Sequence, residues 1–453
     1  MNSTWLDMDV VICGGGPAGI NAALAAGRSG AKTLLIERYG FLGGMSTIAL
    51  VYPWMTFHTV EGKQVIAGIA QEIVDRLQAE GASPGHVRDT VGFVNTITPY
   101  DPEVYKIMIF DMLREAGVTV LLHSFMDEVH TVDNRISAIE ITTKSGRFNI
   151  TGKQFIDTTG DADLAHLSGA PCLQGRDGDK LTQPMTMKFR MRGVNLEKVK
   201  QYMLDHPDEF YKKTPFAELK DLPLSGVLGY YKHWQAADLP INRDQVLFFT
   251  GPGADEVLVN TTRVQGLDAT NVNDLTEAEI LGRKQVRMVA DFMKTLPGFE
   301  QASLSSVGAQ IGIRESRRID GLYTLQLDDV IQGKVFHDCI ARSGYPIDIH
   351  DPSGKGVTAA WVKGDGAYDI PYRCLIPKRI GNLLVAGRCI STSHEALATT
   401  RLTPSCMATG QAAGTAAGLA VKHGITPSEV QLEELQAELH QAGALLHNED
   451  SGC

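Results

Sequence analysis

The chain has 453 residues, of which 43 % are apolar and 21 % charged, with a formal net charge of −11. Such a length supports two or three domains around a large core. The acidic balance excludes nucleic acid or an anionic membrane surface as the principal partner. No run of about 18 apolar residues occurs, so no membrane span is expected. The acidic Met1–Asp9 segment lacks the basic start of a secretory signal, which points to the cytoplasm.

The first element is an apolar strand ending in Gly14-x-Gly16-x-x-Gly19. A small-residue helix follows, then a second apolar run, Thr33–Ile36, which delivers Glu37. Each glycine has a separate job in such a unit. Gly14 permits the tight turn, Gly16 lets backbone approach a pyrophosphate, and Gly19 lets the helix lie close on the sheet. Pro17 and Ala18 sit in the same loop, and the helix N-terminus offers unpaired N–H groups to phosphates. Glu37 stands 18 residues after Gly19, where an acid accepts hydrogen bonds from a ribose.

Apolar residues at helical spacing predict helices over 66–80 and 103–116. Alternating segments from Val118 to Ile150, separated by Asp133-Asn134 and Ser145-Gly146, predict an antiparallel meander. It ends in Gln154–Asp157 and the turn Thr158–Asp161. From about 176 to 368 prolines, aromatics and turns are frequent, which predicts a mixed cap domain with a helix over 276–294. Asn382–Arg388 reads as a buried strand ending in glycine. Pro404–Val421 reads as an Ala- and Gly-rich helix suited to close packing. Ser428 with Gln431 reads as a capping box for a C-terminal helix carrying Leu432, Leu435, Leu439 and Leu446. This helix is expected to dock on the body, with pairing in a homo-oligomer as the alternative.

The seven cysteines stand at least 15 residues apart and form no CxxC, so zinc, dithiol and iron–sulfur spacings are missing. Buried free thiols in a reducing compartment are expected, with Cys453 exposed at the terminus. His350 between Asp348 and Asp351 lacks a second ligand at fixed spacing, so no metal is expected.

The glycine fingerprint does not by itself separate NAD from FAD. Three features favour FAD: the pair Gly43-Gly44 soon after Glu37, the meander before Asp157–Asp161, and the late return Gly387-Arg388. On these residues, together with Ile311–Ile319 and Gly410–Gly414, the chain resembles the bacterial FAD-dependent oxidoreductase family. It resembles more broadly the glutathione-reductase/succinate-dehydrogenase flavoprotein class. The resemblance implies an α/β fold: an FAD-binding Rossmann-like domain of residues 1–175 and 369–425, a mixed α+β substrate cap of 176–368, and the C-terminal helix in 426–453. It also implies particular contacts. Gly14, Gly16, Pro17, Ala18 and Gly19 would hold the pyrophosphate, Glu37 the ribose, and Arg38 the adenine side. Gly43, Gly44 and Met45 would run along pyrophosphate and flavin, and Met126 would meet adenine. Thr159, Gly160 and Asp161 would form a second loop over the cofactor, Gly387 and Arg388 would lie near the ribityl chain, and the helix starting near Met407 would face the flavin. There are departures. No histidine occurs before His58 to tether the flavin, so FAD is expected to be noncovalent. Neither a redox dithiol nor a second GxGxxG is present, so no dedicated NAD(P)H domain is expected.

For catalysis, His394 and Arg401 follow the returning Gly387-Arg388 segment. His394 is read as a general acid/base and Arg401 as a carboxylate or carbonyl clamp. Arg314 is singled out from the Arg314–Arg318 cluster, which otherwise reads as a buried ion network. Tyr52, Trp54 and His58 are candidates for the front of the flavin, and the 344–352 loop has no assigned role. The expected function is hydride exchange between FAD and a small organic molecule, with the electron donor or acceptor unassigned. The alternatives are an FAD monooxygenase and an electron-transfer flavin subunit.

Overall fold

In a computed structural model of the protein, residues 5–447 are described; the C-terminal Cys453 lies outside them. Architecture follows from one seven-stranded sheet. Its order runs Thr119–Leu121, Thr33–Ile36, Trp5–Cys13, Gly146–Asp157, Arg135–Thr143, Phe125–Val132, with Leu383–Val385 on the far half of Gly146–Asp157. The twelve-residue strand Gly146–Asp157 serves two sheets in one. Its first half pairs antiparallel with Arg135–Thr143, its last three residues pair parallel with Leu383–Val385, and Trp5–Cys13 lies parallel along it. The parallel strands therefore end side by side at Leu121, Ile36, Cys13, Asp157 and Val385. In open α/β sheets ligands bind at that carboxyl edge. The fold class is the expected one: α/β, Rossmann-like, with a meander and a mixed α+β part.

Two local expectations are corrected. The strand Thr119–Leu121 does not open the meander; it pairs parallel with Thr33–Ile36 at the opposite edge. Its alternation looks the same in sequence, and only the helix Pro102–Glu115 before it makes the connection a crossover. The C-terminal capping box is made by Thr426 and Glu429 rather than by Ser428 and Gln431. A one-turn 3-10 helix, Pro427–Glu429, precedes the helix Leu432–Gln441. Leu435 and Leu439 of that helix are fully buried in the main core, so it docks on the body.

Small residues set the closest approach in the fold. The helix Thr403–His423 lies against Pro17–Arg28. A Cβ on Gly410 would sit 2.1 Å from Ala18 O, and one on Gly414 would sit 2.2 Å from Ala22 O. Only glycine admits that approach, which holds the late helix over the loop following the first strand.

A second core fills residues 185–313 around a five-stranded antiparallel sheet, ordered Gly226–Gly229, Val246–Thr250, Val257–Val259, Phe189–Arg192, Ser303–Val307. Alternation explains its two faces. Val227, Phe248, Val259 and Phe189 enter this second core, whereas Leu228, Leu247, Phe249 and Lys188 face a cavity shared with the first sheet. Side chains between 325 and 376, including Leu325, Tyr345 and Tyr368, are buried in the main core instead. Among the described residues no helix is long and apolar enough to cross a membrane, and no group of three His, Cys, Asp or Glu could hold a metal ion. The described cysteines are unpaired, and all but Cys172 are buried.

Candidate active site

A single cavity of about 940 Å³ runs from the carboxyl edge of the first sheet to the inner face of the second. At one end, Glu37 is buried and accepts hydrogen bonds from Gly15 N–H at 2.7 Å and Tyr39 N–H at 3.0 Å. Burial pushes its carboxyl up, partly offset by those N–H groups. Glu37 is held there because its own backbone continues the sheet, N–H to Leu121 O and carbonyl to Ser124 N–H. Met126 lines the same end.

Next comes the glycine turn. Gly14 has φ +109°, and a Cβ there would sit 2.5 Å from Thr158 O. At Gly16 a Cβ would meet only Gly44 Cα, at 3.8 Å, and the space before it is the cavity itself. Gly43 N–H donates to Gly15 O at 2.8 Å, so the glycine pair lies directly against the turn. The loop after Asp157 is shaped by that buried carboxylate, which accepts from Thr159 N–H and Oγ1 and from Ala165 N–H. Arg388 then bridges back: its Nη2 lies 2.8 Å from Asp161 Oδ1 and its Nη1 donates to Ser316 Oγ at 3.2 Å.

The other end is a chamber. Lys188, Arg243, Arg314 and Arg401 line it together with Tyr52, Tyr345, Asp348 and His350. Arg314 donates through Nη1 to Pro184 O and Thr186 Oγ1, both at 2.6 Å. Asp348 is the hub of the facing loop: Tyr345 Oη donates to it at 3.3 Å, His350 Nε2 lies 3.4 Å away and Arg401 Nη2 3.8 Å away. Charge and burial compete here. Burial raises the Asp348 carboxyl, yet His350, Arg401 and Arg314 together hold it well below the usual carboxylate range. Burial, with Arg314 beside it, brings His350 down to about 3. Burial, then Arg314 and Arg401, brings Lys188 down to about 7. Arg314 is itself held well below its ordinary value by burial and by Arg401.

Of the residues expected from the sequence, Gly14, Gly16, Pro17, Ala18, Glu37, Arg38, Met45, Met126, Thr159, Gly160, Gly387, Arg388, Arg314 and Arg401 line this one cavity. Gly19, Gly43, Gly44, Asp161 and Met407 are not in the lining, although Gly19 and Gly44 lie against Gly14 and Gly16 and Asp161 pairs with Arg388. His394 is not brought to it. Residues His394–Thr400 form a short helix capped by Ser393. Its first residue points to Glu315, with His394 Nδ1 2.8 Å from Glu315 Oε2 in a close contact lacking hydrogen-bond direction. Glu315 is fully buried, accepts from Gln183 N–H at 2.9 Å and pairs with Arg318. Trp54 is buried against Tyr100 and His58 lies off the cavity, whereas Tyr52 reaches it. Sequence reasoning missed Lys188 and Arg243. A signal existed for the first: Lys188, Arg190 and Arg192 alternate with Met187, Phe189 and Met191, marking a strand with one charged face.

Comparison with known proteins agrees with this geometry. Residues 9–439 match the family described as FAD dependent oxidoreductase. The chain belongs to that family; it is an FAD-dependent oxidoreductase, and FAD is its cofactor. Among curated relatives it is similar to the tRNA uridine 5-carboxymethylaminomethyl modification enzyme MnmG of Campylobacter fetus. The match is 24 % identical over 275 residues, covering 54 % of this chain and 42 % of the relative. It is also similar to thiamine thiazole synthase of Aeropyrum pernix, at 28 % over 138 residues, covering 30 % of this chain and 44 % of the relative. The chain thus spans less than half the length of these relatives. Among solved structures, a geranylgeranyl bacteriochlorophyll reductase-like protein of Thermoplasma acidophilum aligns at 12 % identity with a TM-score of 0.47, covering 97 % of this chain and 84 % of the other. The flavin-dependent brominase Bmp2 aligns at 12 % with a TM-score of 0.48, covering 96 % and 83 %. The residues fit the family's cofactor: a buried acid, a glycine turn that opens onto the cavity, and a helix beginning at Thr403 whose first residues line it.

Proposed function

We propose that the protein exchanges hydride between its FAD and a small organic substrate seated in the chamber of Lys188, Arg314 and Arg401, as a dehydrogenase or reductase. The continuity of the cavity from Glu37 to Lys188 carries this reading, since a cofactor in the first part has its reactive end in the second. When bound, FAD supplies the two-electron donor or acceptor. The chain supplies the rest. Glu37 would accept from the ribose, Met126 would cover the adenine, and the Gly14–Gly19 turn with Gly43, Gly44 and Met45 would receive the pyrophosphate. Thr159, Gly160, Asp161, Gly387 and Arg388 would close over the middle. The first turn of Thr403–His423, near Met407, would offer its positive dipole end to charge on the flavin.

Hydride transfer leaves one proton to move. Lys188 Nζ, brought to about 7 by burial, is suited to take or give it near neutral pH. Arg401 and Arg314 would hold the substrate oxygen, and Asp348 would keep Arg401 aimed. His394 would act through Glu315 on the position of the 183–188 segment, not on the substrate. In this reading residues 1–175 and 369–425 hold the cofactor and 176–368 roof the chamber. Anaerobic bleaching of the bound flavin across a panel of organic acids, alcohols and amines tests it. Saturable bleaching by one class is the expected result. Failure to bleach, with NAD(P)H oxidation that the substrate accelerates in air, would favour a monooxygenase and overturn it.

A further inference from the structure

The chamber has a lining of two unlike kinds. One part of its lining is cationic: Lys188, Arg243, Arg314 and Arg401 outnumber the carboxylates Asp244 and Asp348, and Asp348 is already shared among Tyr345, His350 and Arg401. Their hydrogen-bonding capacity is largely unspent. Arg314 uses Nη1 on the protein, and among the described residues Lys188 Nζ has no acceptor. Arg401 Nε is buried and has no partner among the described residues. Buried cations in excess are costly unless an anion joins them. The rest is apolar: the inner face of the second sheet, next to Lys188, presents Leu228, Leu247 and Phe249, with Phe93 also in the lining. A small dicarboxylate would satisfy the cations and leave the apolar side chains in contact with water. A neutral apolar molecule would do the reverse.

We infer that the chamber takes an amphiphilic organic acid: one carboxylate held by Lys188, Arg314 and Arg401, and a ring-sized or medium-chain apolar body on Phe93, Leu247 and Phe249. This rests on the reading of the chamber as the substrate half of a flavin enzyme. Like-charge crowding among Lys188, Arg314 and Arg401 supports it, because an added carboxylate offsets their repulsion.

The test is titration of the FAD-loaded protein with phenylacetate, hexanoate, phenylacetamide, hexanamide and succinate. The readouts are perturbation of the flavin absorbance and the shift in Tm. The two monocarboxylates are expected to bind saturably, each roughly tenfold or more tighter than its amide and tighter than succinate. Lys188→Met is expected to erase most of that preference for acid over amide while retaining FAD, and Leu247→Asp to weaken phenylacetate. Arg314→Met is less informative, since Arg314 also ties down Pro184 and Thr186. Equal affinity for acid and amide, tighter succinate, or no binding of any probe would overturn the proposal while leaving the flavin reading intact. A flavin potential altered by Lys188→Met with unchanged probe affinity would assign the charge to the cofactor and would also overturn it. Protein that takes up no FAD yet shows the acid-over-amide Tm shift would instead sink the flavin reading and keep the anion site.

Discussion

Arg388 Nη2 lies 2.8 Å from Asp161 Oδ1, joining two loops 227 residues apart in the chain. Both side chains are nearly buried, at 10 % and 11 % exposure, and Ser316 Oγ donates to the same carboxylate oxygen at 2.6 Å. The pair fixes the loop after Asp157 against the returning Gly387-Arg388 segment. Removing one partner of a buried pair strands the other charge, at a cost of about 3–5 kcal/mol. Arg388→Met is therefore expected to lower Tm and to release FAD on gel filtration. Asp161→Asn, which still accepts from Ser316 and Arg388, should lose less. Full FAD retention by Arg388→Met would show that the bridge does not shape the cofactor site.

The helix contact behind the glycine turn makes a sharper stability prediction. Gly414→Ala would force a Cβ to 2.2 Å from Ala22 O, backbone that cannot rotate away. Overpacking of this kind costs about 1–3 kcal/mol or more. Gly424→Ala is the control. Gly424 closes the same helix at φ +66° with nothing near its Cβ, so the loss should be about 1 kcal/mol. Chemical denaturation of both variants checks the order; a Gly424→Ala protein weaker than Gly414→Ala would contradict the close packing.

His394 and Arg401 were alike in sequence and are unlike in space. Arg401 borders the chamber, whereas His394 is buried on Glu315 behind it. Arg401→Gln is expected to cut kcat/KM by about 100-fold or more with FAD retained, as loss of a charge-assisted contact to a reacting substrate does. His394→Gln is expected to lower Tm and leave the shape of the pH–rate profile unchanged. A profile that loses a limb in His394→Gln would restore His394 as the proton carrier.

Much of the first sheet was legible because its signals are local. A strand, three spaced glycines and an acid at the next strand end each obey a rule within about 30 residues. The late helix was legible from its small residues. The chamber was not, because it is assembled from Lys188, Arg243, Arg314, Asp348 and Arg401, which no short spacing connects. His394 misled for a related reason. It follows Gly387-Arg388 closely in the chain, but Ser393 caps a helix there and the imidazole lies against Glu315. The bridge between Thr186 and Gly312 joins the segments that bring Lys188 and Arg314 to the cavity, a contact more than 120 residues apart in sequence.

Lys188 ties stability to pH in a definite direction. Its ammonium is brought from 10.5 down to about 7 by burial and by Arg314 and Arg401, with Arg243, His350 and Asp348 on the same walls. Below about pH 7 the folded and unfolded chains both hold this proton, so the folded state carries the full cost of the buried charge. Between about 7 and 10.5 the unfolded chain holds a proton that the folded chain has released, so this contribution to stability rises with pH. Lys188→Met removes the group and the cost together. In the absence of substrate the variant should be more stable than the parent at about pH 6, by up to about 5 kcal/mol, and the gain should shrink toward about pH 9. Thermal unfolding of the FAD-loaded proteins across that range checks both sign and trend. A gain that grows with pH, or a loss at about pH 6, would mean that Lys188 is held charged by an acceptor rather than strained by its neighbours.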